Sequence, residues 1–297
     1  NRELNNNQYR ILVRGLERAR GTVQPGSHLA INPGDVTGGI EGVRTRDPTF
    51  GFDAVWINPR RVEAAEARGY TVVECTSVVA THVTEIVTRY AADLLSRQAV
   101  SDLIERLKET DKAVVEELVP QQLNVGVVHR VLQYLLNEQV PIHDLSVILE
   151  SLSDYAGQTK DPLMLCEFCR QALRGHIVSR NAGEDGTLHA LILAPDIEEE
   201  LKQALAPGGG GLTGMEPQRV EELGNRIRQQ AEGVQQRVDA IPCLVVSPGI
   251  RPHLYRLIER RVPDVPVLSF AEVADDVNLQ LADTVRLAEQ PAEENVV

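Results

Sequence analysis

The chain has 297 residues, enough for about two domains or more with substantial cores. Its 30 basic and 43 acidic residues leave a net charge of −13, which argues against nucleic acid or an anionic membrane surface as the main partner. No run of about 18 apolar residues occurs, so nothing reads as a membrane-spanning helix, and four cysteines without regular spacing fit a reducing compartment.

Residues 1–7 are polar and unpatterned. Tyr9 to Val13 reads as a strand closed by Gly15, residues 21–26 as a turn around Pro25, and His28 to Ile31 as a second short strand. Asn32 to Gly39 reads as a loop. The stretch from Arg44 to Glu85 organises the chain. Asp47-Pro48 marks a turn, because proline pushes the residue before it out of the helical region, and Gly51 relaxes the backbone. Ala54 to Ile57 reads as a strand ended by Pro59, Arg61 to Arg68 as a polar helix, and Tyr70 to Val73 as another strand. The only tryptophan and two of the four phenylalanines lie between Phe50 and Trp56, a concentration that reads as a small core. Phe50 is the exception, since it sits beside the turn and reads as exposed.

A helix opens near Ser77, with Val79, Val83, Ile86, Val87, Tyr90 and Leu94 expected on the apolar face and Thr81, Glu85 and Thr88 on the other. Helical patterns continue to about His176. Val128, Val131, Leu132, Leu135 and Leu136 form one stripe, Asp144 reads as an N-cap, and Asp161-Pro162 reads as a cap followed by proline in the first turn. Strands and helices alternate afterwards: Leu188 to Ala194 and Cys243 to Val246 as strands, Ile197 to Leu205, a longer helix through Val220 to Ile227, and Ile250 to Ile258 as helices. Val265 to Phe270 reads as a strand and Val277 to Leu281 as an edge strand. The Pro207 to Gly211 run reads as a flexible connection, and the acidic tail from 288 as disordered. The pattern is mixed α/β: a small α+β unit, an all-helical middle and a sheet covered by helices.

No stretch makes a convincing active site. Cys166-x-x-Cys169 has no second ligand pair for zinc and shares an apolar helical face with Leu165, Ala172 and Leu173, so it reads as buried core thiols rather than a redox pair. His82 and Glu85 stand three apart on a helix, but a metal needs a third ligand. The four-glycine run has no lysine and Ser/Thr of a phosphate loop, and Ser247-Pro248-Gly249 does not match a nucleophile elbow. Catalytic, metal and cofactor sites are therefore all expected to be absent. From the residues alone, the chain reads as an acidic multidomain binding or assembly module.

Several motifs in order resemble one family. Asp47-Pro48-Thr49-Phe50-Gly51, Ala54-Val55-Trp56-Ile57, Gly69-Tyr70-Thr71-Val72-Val73 and Ala80-Thr81-His82 are similar to the cytoplasmic region of the FlhA export-gate family, the large gate subunits of bacterial flagellar type III secretion. The likeness continues through Glu117-Leu118-Val119-Pro120, Val131-Leu132-Gln133 and Ile148-Leu149-Glu150 to Ile250-Arg251-Pro252 and Val267-Leu268-Ser269, nearly the whole chain. The gate subunits of virulence injectisomes share many of these motifs; Arg251-Pro252 looks more flagellar. The start at Asn1 rather than methionine fits a piece of a longer protein whose N-terminal membrane region lies elsewhere.

The resemblance implies two thioredoxin-like α/β units, a small α+β insert and an all-helical subdomain. The first unit would be 1–25 with 75–94, the insert 26–74, the helical subdomain 95–180 and the second thioredoxin-like unit 181–287, before a tail at 288–297. It implies no chemistry. It implies docking of flagellar export chaperones with bound late substrates, contacts with ATPase-complex components, a nonameric ring and a place at the cytoplasmic face of the inner membrane. Matched motif by motif, the family's chaperone-binding residues fall on Asp47, Phe50 and Thr81, with Asp47 expected to accept a hydrogen bond from the partner. Two other classes stay open: an enzyme with its site in the C-terminal α/β segment, near the ends of the strands carrying Val245 and Leu268, and a ring component without cargo contact.

Overall fold

The computed structural model describes residues 4–206, 215–238, 240–273 and 277–287; the 207–211 connection and the 288–297 tail of the sequence reading lie outside them. The chain forms two compact units, Asn1–Ser96 and Arg97–Val297.

The first unit opens with an antiparallel hairpin, β1 (Gln8–Val13) and β2 (Leu16–Thr22), which forms a sheet of its own. Arg14 and Gly15 both have positive φ, the turn geometry that matches the twist of paired strands. The sequence reading finds β1 and misses β2, because Leu16-Glu17-Arg18-Ala19-Arg20 shows no apolar alternation. A four-stranded antiparallel sheet comes next, in the order β4 (Val43–Arg46), β5 (Asp53–Ile57), β3 (His28–Ile31), β6 (Thr71–Glu74). β4 also escapes the sequence reading; it is an edge strand carrying two arginines, a composition that blunts an edge.

Side chains alternate across this sheet. Leu29, Ala54 and Trp56 face Val78 of α2 (Cys75–Arg89), while Ala30 and Ile57 face Ala65 of α1 (Val62–Glu66) and Tyr70. A turn of 3-10 helix, Pro59–Arg61, leads into α1 where a single polar helix is expected. The aromatic cluster corrects the sequence reading: Trp56 is core, but Phe52 joins Phe50 at the surface. α2 corrects it too, since its buried stripe is Val78, His82 and Ile86, with Val83 and Val87 exposed. The short α3 (Ala91–Leu94) ends the unit.

The second unit begins with six helices: α4 (Arg97–Thr110), α5 (Lys112–Leu118), α6 (Val125–Asn137), α7 (Leu145–Ala156), α8 (Pro162–Ala172) and α9 (Arg174–Asn181). Asn124 and Asp161 cap α6 and α8 by accepting from the amides of Val127 and Leu163, each at 3.1 Å. Asp144 occupies the N-cap position of α7 but makes no cap bond; its carboxylate lies 3.9 Å from His176 instead.

Next come β7 (Thr187–Leu193), α10 (Pro195–Leu205), α11 (Pro217–Val238), β8 (Cys243–Val246), α12 (Arg251–Ile258), β9 (Val267–Ser269) and β10 (Asn278–Val285). These four strands form a parallel sheet in the order β10-β7-β8-β9, so the 277–281 segment is at an edge. β7 and β8 are almost wholly buried, as the continuous apolar runs of covered parallel strands require.

The helices and this sheet are joined by a buried charged cluster. Arg251, at the start of α12, forks onto Glu138 at the end of α6 (Nη1–Oε2 2.5 Å, Nη2–Oε1 3.1 Å) and onto Glu167 of α8 (Nε–Oε2 2.5 Å). Arg170 of α8 donates to Glu138 Oε2 at 2.9 Å and to the Val267 carbonyl of β9 at 3.4 Å. Arg170 Nε also lies 2.6 Å from Glu272 Oε1, an ion pair outside hydrogen-bond alignment, while Glu272 Oε2 accepts from Ser269 N and Oγ.

Cys166 and Cys169 lie buried on α8, and Cys243 is buried in β8. Burial pushes the Cys169 and Cys243 thiols up to about 12 and Cys166 well above its ordinary range, the opposite of an activated pair. One thiol per chain, the half-buried Cys75, is expected to react promptly with Ellman's reagent in the native protein, and all four after unfolding in guanidinium. Three fast native thiols would contradict this packing.

Candidate functional site

The hairpin between β4 and β5 carries two of the three residues that the motifs single out. Its base is the Arg46–Asp53 pair, and residues 47–52 form the loop. The Asp47 amide donates to the Phe52 carbonyl at 2.8 Å, and the Gly51 amide donates back to the Asp47 carbonyl at 3.0 Å. Gly51 has φ +77°, a left-handed conformation that favours glycine at the turn's exit. Asp47 Oδ2 accepts from the amides of Thr49 at 3.1 Å and Phe50 at 2.6 Å. The Asp side chain thus mimics a backbone turn.

Asp47 is 5% exposed and its Oδ2 already holds two amides, so the carboxylate shapes the loop. Phe50 is 62% exposed, and Phe52 beside it is 49% exposed with ring centroids 6.4 Å apart. Phe52 was missed because the concentration of aromatics around Trp56 reads as a core, whereas Phe52 lies in the loop just before β5 begins at Asp53.

Thr81 is exposed on α2, and the residue after it is buried. His82 Nδ1 lies 2.7 Å from the hydroxyl of Tyr9 on β1, with the two rings edge to face at 5.7 Å. Burial raises the Tyr9 phenol to about 12, with the Asp47 charge as the next cause. Burial lowers the His82 pKa, opposed by the same Asp47 charge. The bond joins the Tyr9 hydroxyl to Nδ1 of a neutral His82. Asp47 therefore lies near the bond that holds α2 against β1. Thr81 is thus joined through its neighbour His82 to β1, while Asp47 acts on the Tyr9–His82 pair as a nearby charge.

His82 is committed to Tyr9, and among the described residues no group of three or more His, Cys, Asp or Glu side chains could hold a metal. At the carboxyl ends of parallel strands, where α/β folds place their ligands, two serines are held by glutamates. Ser247 after β8 donates from N and Oγ to Glu198 at 3.1 Å, and Ser269 at the end of β9 donates to Glu272. No helix among the described residues is long and apolar enough to cross a membrane.

Comparison with known proteins adds the family. The flagellar biosynthesis protein FlhA of Proteus mirabilis is 37% identical over 96% of this chain, and the chain spans 40% of that relative's length. The nonameric SctV C-terminal region of EPEC, solved by cryo-electron microscopy, superposes with a TM-score of 0.75 at 25% identity, over 95% of this chain and 85% of the other. The Chlamydia pneumoniae CdsV chain in a complex with CdsO superposes with a TM-score of 0.80 at 22% identity, over 95% and 82%, and shares the fold. The family model matched, over residues 1–278, is the FHIPEP family, and the chain belongs to it.

Proposed function

We propose that the chain is a docking platform of the flagellar type III export gate, receiving export chaperones with bound late substrates. The observation that carries this is the pair of exposed phenylalanines on a loop tied down by Asp47. Exposed aromatic rings on a rigid support lose little conformational freedom on binding, and such anchors dominate interface energetics. Phe50 and Thr81 would contact the partner, with Asp47 holding the loop in shape. The closer identity to flagellar relatives than to the injectisome neighbour favours the flagellar reading.

The relatives support the rest of the reading. The chain would lie at the cytoplasmic face of the inner membrane and assemble in a nonameric ring, as the EPEC protein does. It would also meet components of the export ATPase complex, and it performs no reaction of its own. Its subdomains would be 1–25 with 75–94, 26–74, 95–180 and 181–287, the first and last thioredoxin-like. Calorimetric titration with a purified export chaperone–late substrate complex is expected to give saturable binding, tighter than with the cargo-free chaperone. Heats equal to dilution for every such complex would leave a ring component without cargo contact.

A further inference from the structure

Tyr9 sits where nothing in the resemblance points. On β1 it pairs directly with Gly21 of β2. A Cβ on Gly21 would stand 2.5 Å from the Tyr9 hydroxyl oxygen and 2.6 Å from Cε1, closer than atoms allow. The glycine is thus a notch: it lets the ring lie across β2 so that its hydroxyl reaches His82, on a helix 73 residues away in sequence. A second tie joins the same hairpin to α2, since Arg18 of β2 lies over the ring of Tyr90, the C-cap of α2, at 4.6 Å from its centroid. These ties close the chain around the four-stranded sheet, which leaves β2 at one end and enters α2 at the other. An isolated two-stranded hairpin is marginal in water, so the hairpin depends on such ties for a fixed position.

We propose that Tyr9, seated in the Gly21 notch and bonded to His82, is a positioning residue for the docking surface: it holds the helix that presents Thr81 in place against the β1–β2 hairpin. The assignment rests on the docking reading above. His82 is its relay, buried one residue from exposed Thr81. The chemistry needed is one hydrogen bond, and the ring alone does not supply it.

Tyr9→Phe keeps the ring and removes the hydroxyl. In the full chain it is expected to weaken binding of a purified export chaperone–late substrate complex about fivefold, the scale of one net hydrogen bond. Far-UV melting should show the variant folded at the binding temperature. In a Thr81→Ala background the same change is expected to have no further effect on affinity, which a general loss of stability would not produce. His82→Asn, whose amide oxygen stands about where Nδ1 does, should bind near the wild-type affinity, whereas His82→Leu should lose about as much as Tyr9→Phe. Unchanged affinity in Tyr9→Phe, alongside weakened binding in Phe50→Ala, overturns the positioning role and leaves docking intact. Equal losses from Tyr9→Phe with and without Thr81→Ala also overturn it. Absence of binding by the unmutated chain removes the docking reading, and this assignment with it.

Discussion

Arg251→Ala is expected to destabilise the Arg97–Val297 unit by about 3–5 kcal/mol, the scale for removing one partner from a buried ion pair. Arg251 is 0% exposed and forks onto Glu138 and Glu167. Without it, three buried carboxylates share the single guanidinium of Arg170. Even intact, two arginines face Glu138, Glu167 and Glu272, so one negative charge is in surplus. The surplus falls on Glu167, whose ion pair is with Arg251. Burial raises its pKa in spite of that arginine. Burial also works against Glu138, but the charges of Arg170 and Arg251 outweigh it and hold its pKa below the usual range.

The signs of these shifts separate the two glutamates. A carboxyl with a lowered folded pKa stabilises above its unfolded pKa, and that contribution is lost as pH falls through the folded value; a raised one favours the fold as pH falls. Glu138→Gln should therefore destabilise at neutral pH, whereas Glu167→Gln, which removes the surplus charge and keeps the shape, should be near neutral or stabilising. Urea unfolding of the three variants, followed by circular dichroism, checks this. A Glu167→Gln loss as large as that of Glu138→Gln would rule out the surplus-charge account.

None of that cluster was legible in the sequence. Its five members come from three helices and the turn after β9, and each alone reads as an ordinary surface charge. What could be read was whatever repeats with the period of one element: the stripes of α6 and α12, the apolar runs of β7 and β8, and the Asp161-Pro162 helix start. β2 and β4 were lost because hairpin pairing and an edge position, not apolar alternation, make them strands. The inner face of α2 was misplaced because His82, a polar residue, takes a core position through its bond to Tyr9, 73 residues away. At the candidate site, Phe50 was legible because Asp47-Pro48 announces a turn. The inward aim of Asp47 was not, since an aspartate at a turn reads the same whether it caps the loop or faces a partner.

Phe50→Ala is expected to weaken binding of a chaperone–late substrate complex about thirtyfold while leaving thermal unfolding almost unchanged. Thirtyfold corresponds to about 2 kcal/mol, the loss that marks an anchor at the centre of an interface. The ring is 62% exposed, so its removal opens no cavity, and surface changes of that kind stay within about 0.5 kcal/mol. A core phenylalanine would behave oppositely, costing about 3–5 kcal/mol of stability. Asp47→Ala supplies the contrast. It frees the Thr49 and Phe50 amides from their acceptor, so it should lower both stability and affinity, because the loop loses the shape that presents the ring. Both quantities are measured on the same preparations, by calorimetric titration and by melting. Unchanged chaperone affinity in Phe50→Ala would remove the aromatic anchor from the docking surface, and a large drop in its melting temperature would contradict the exposed ring.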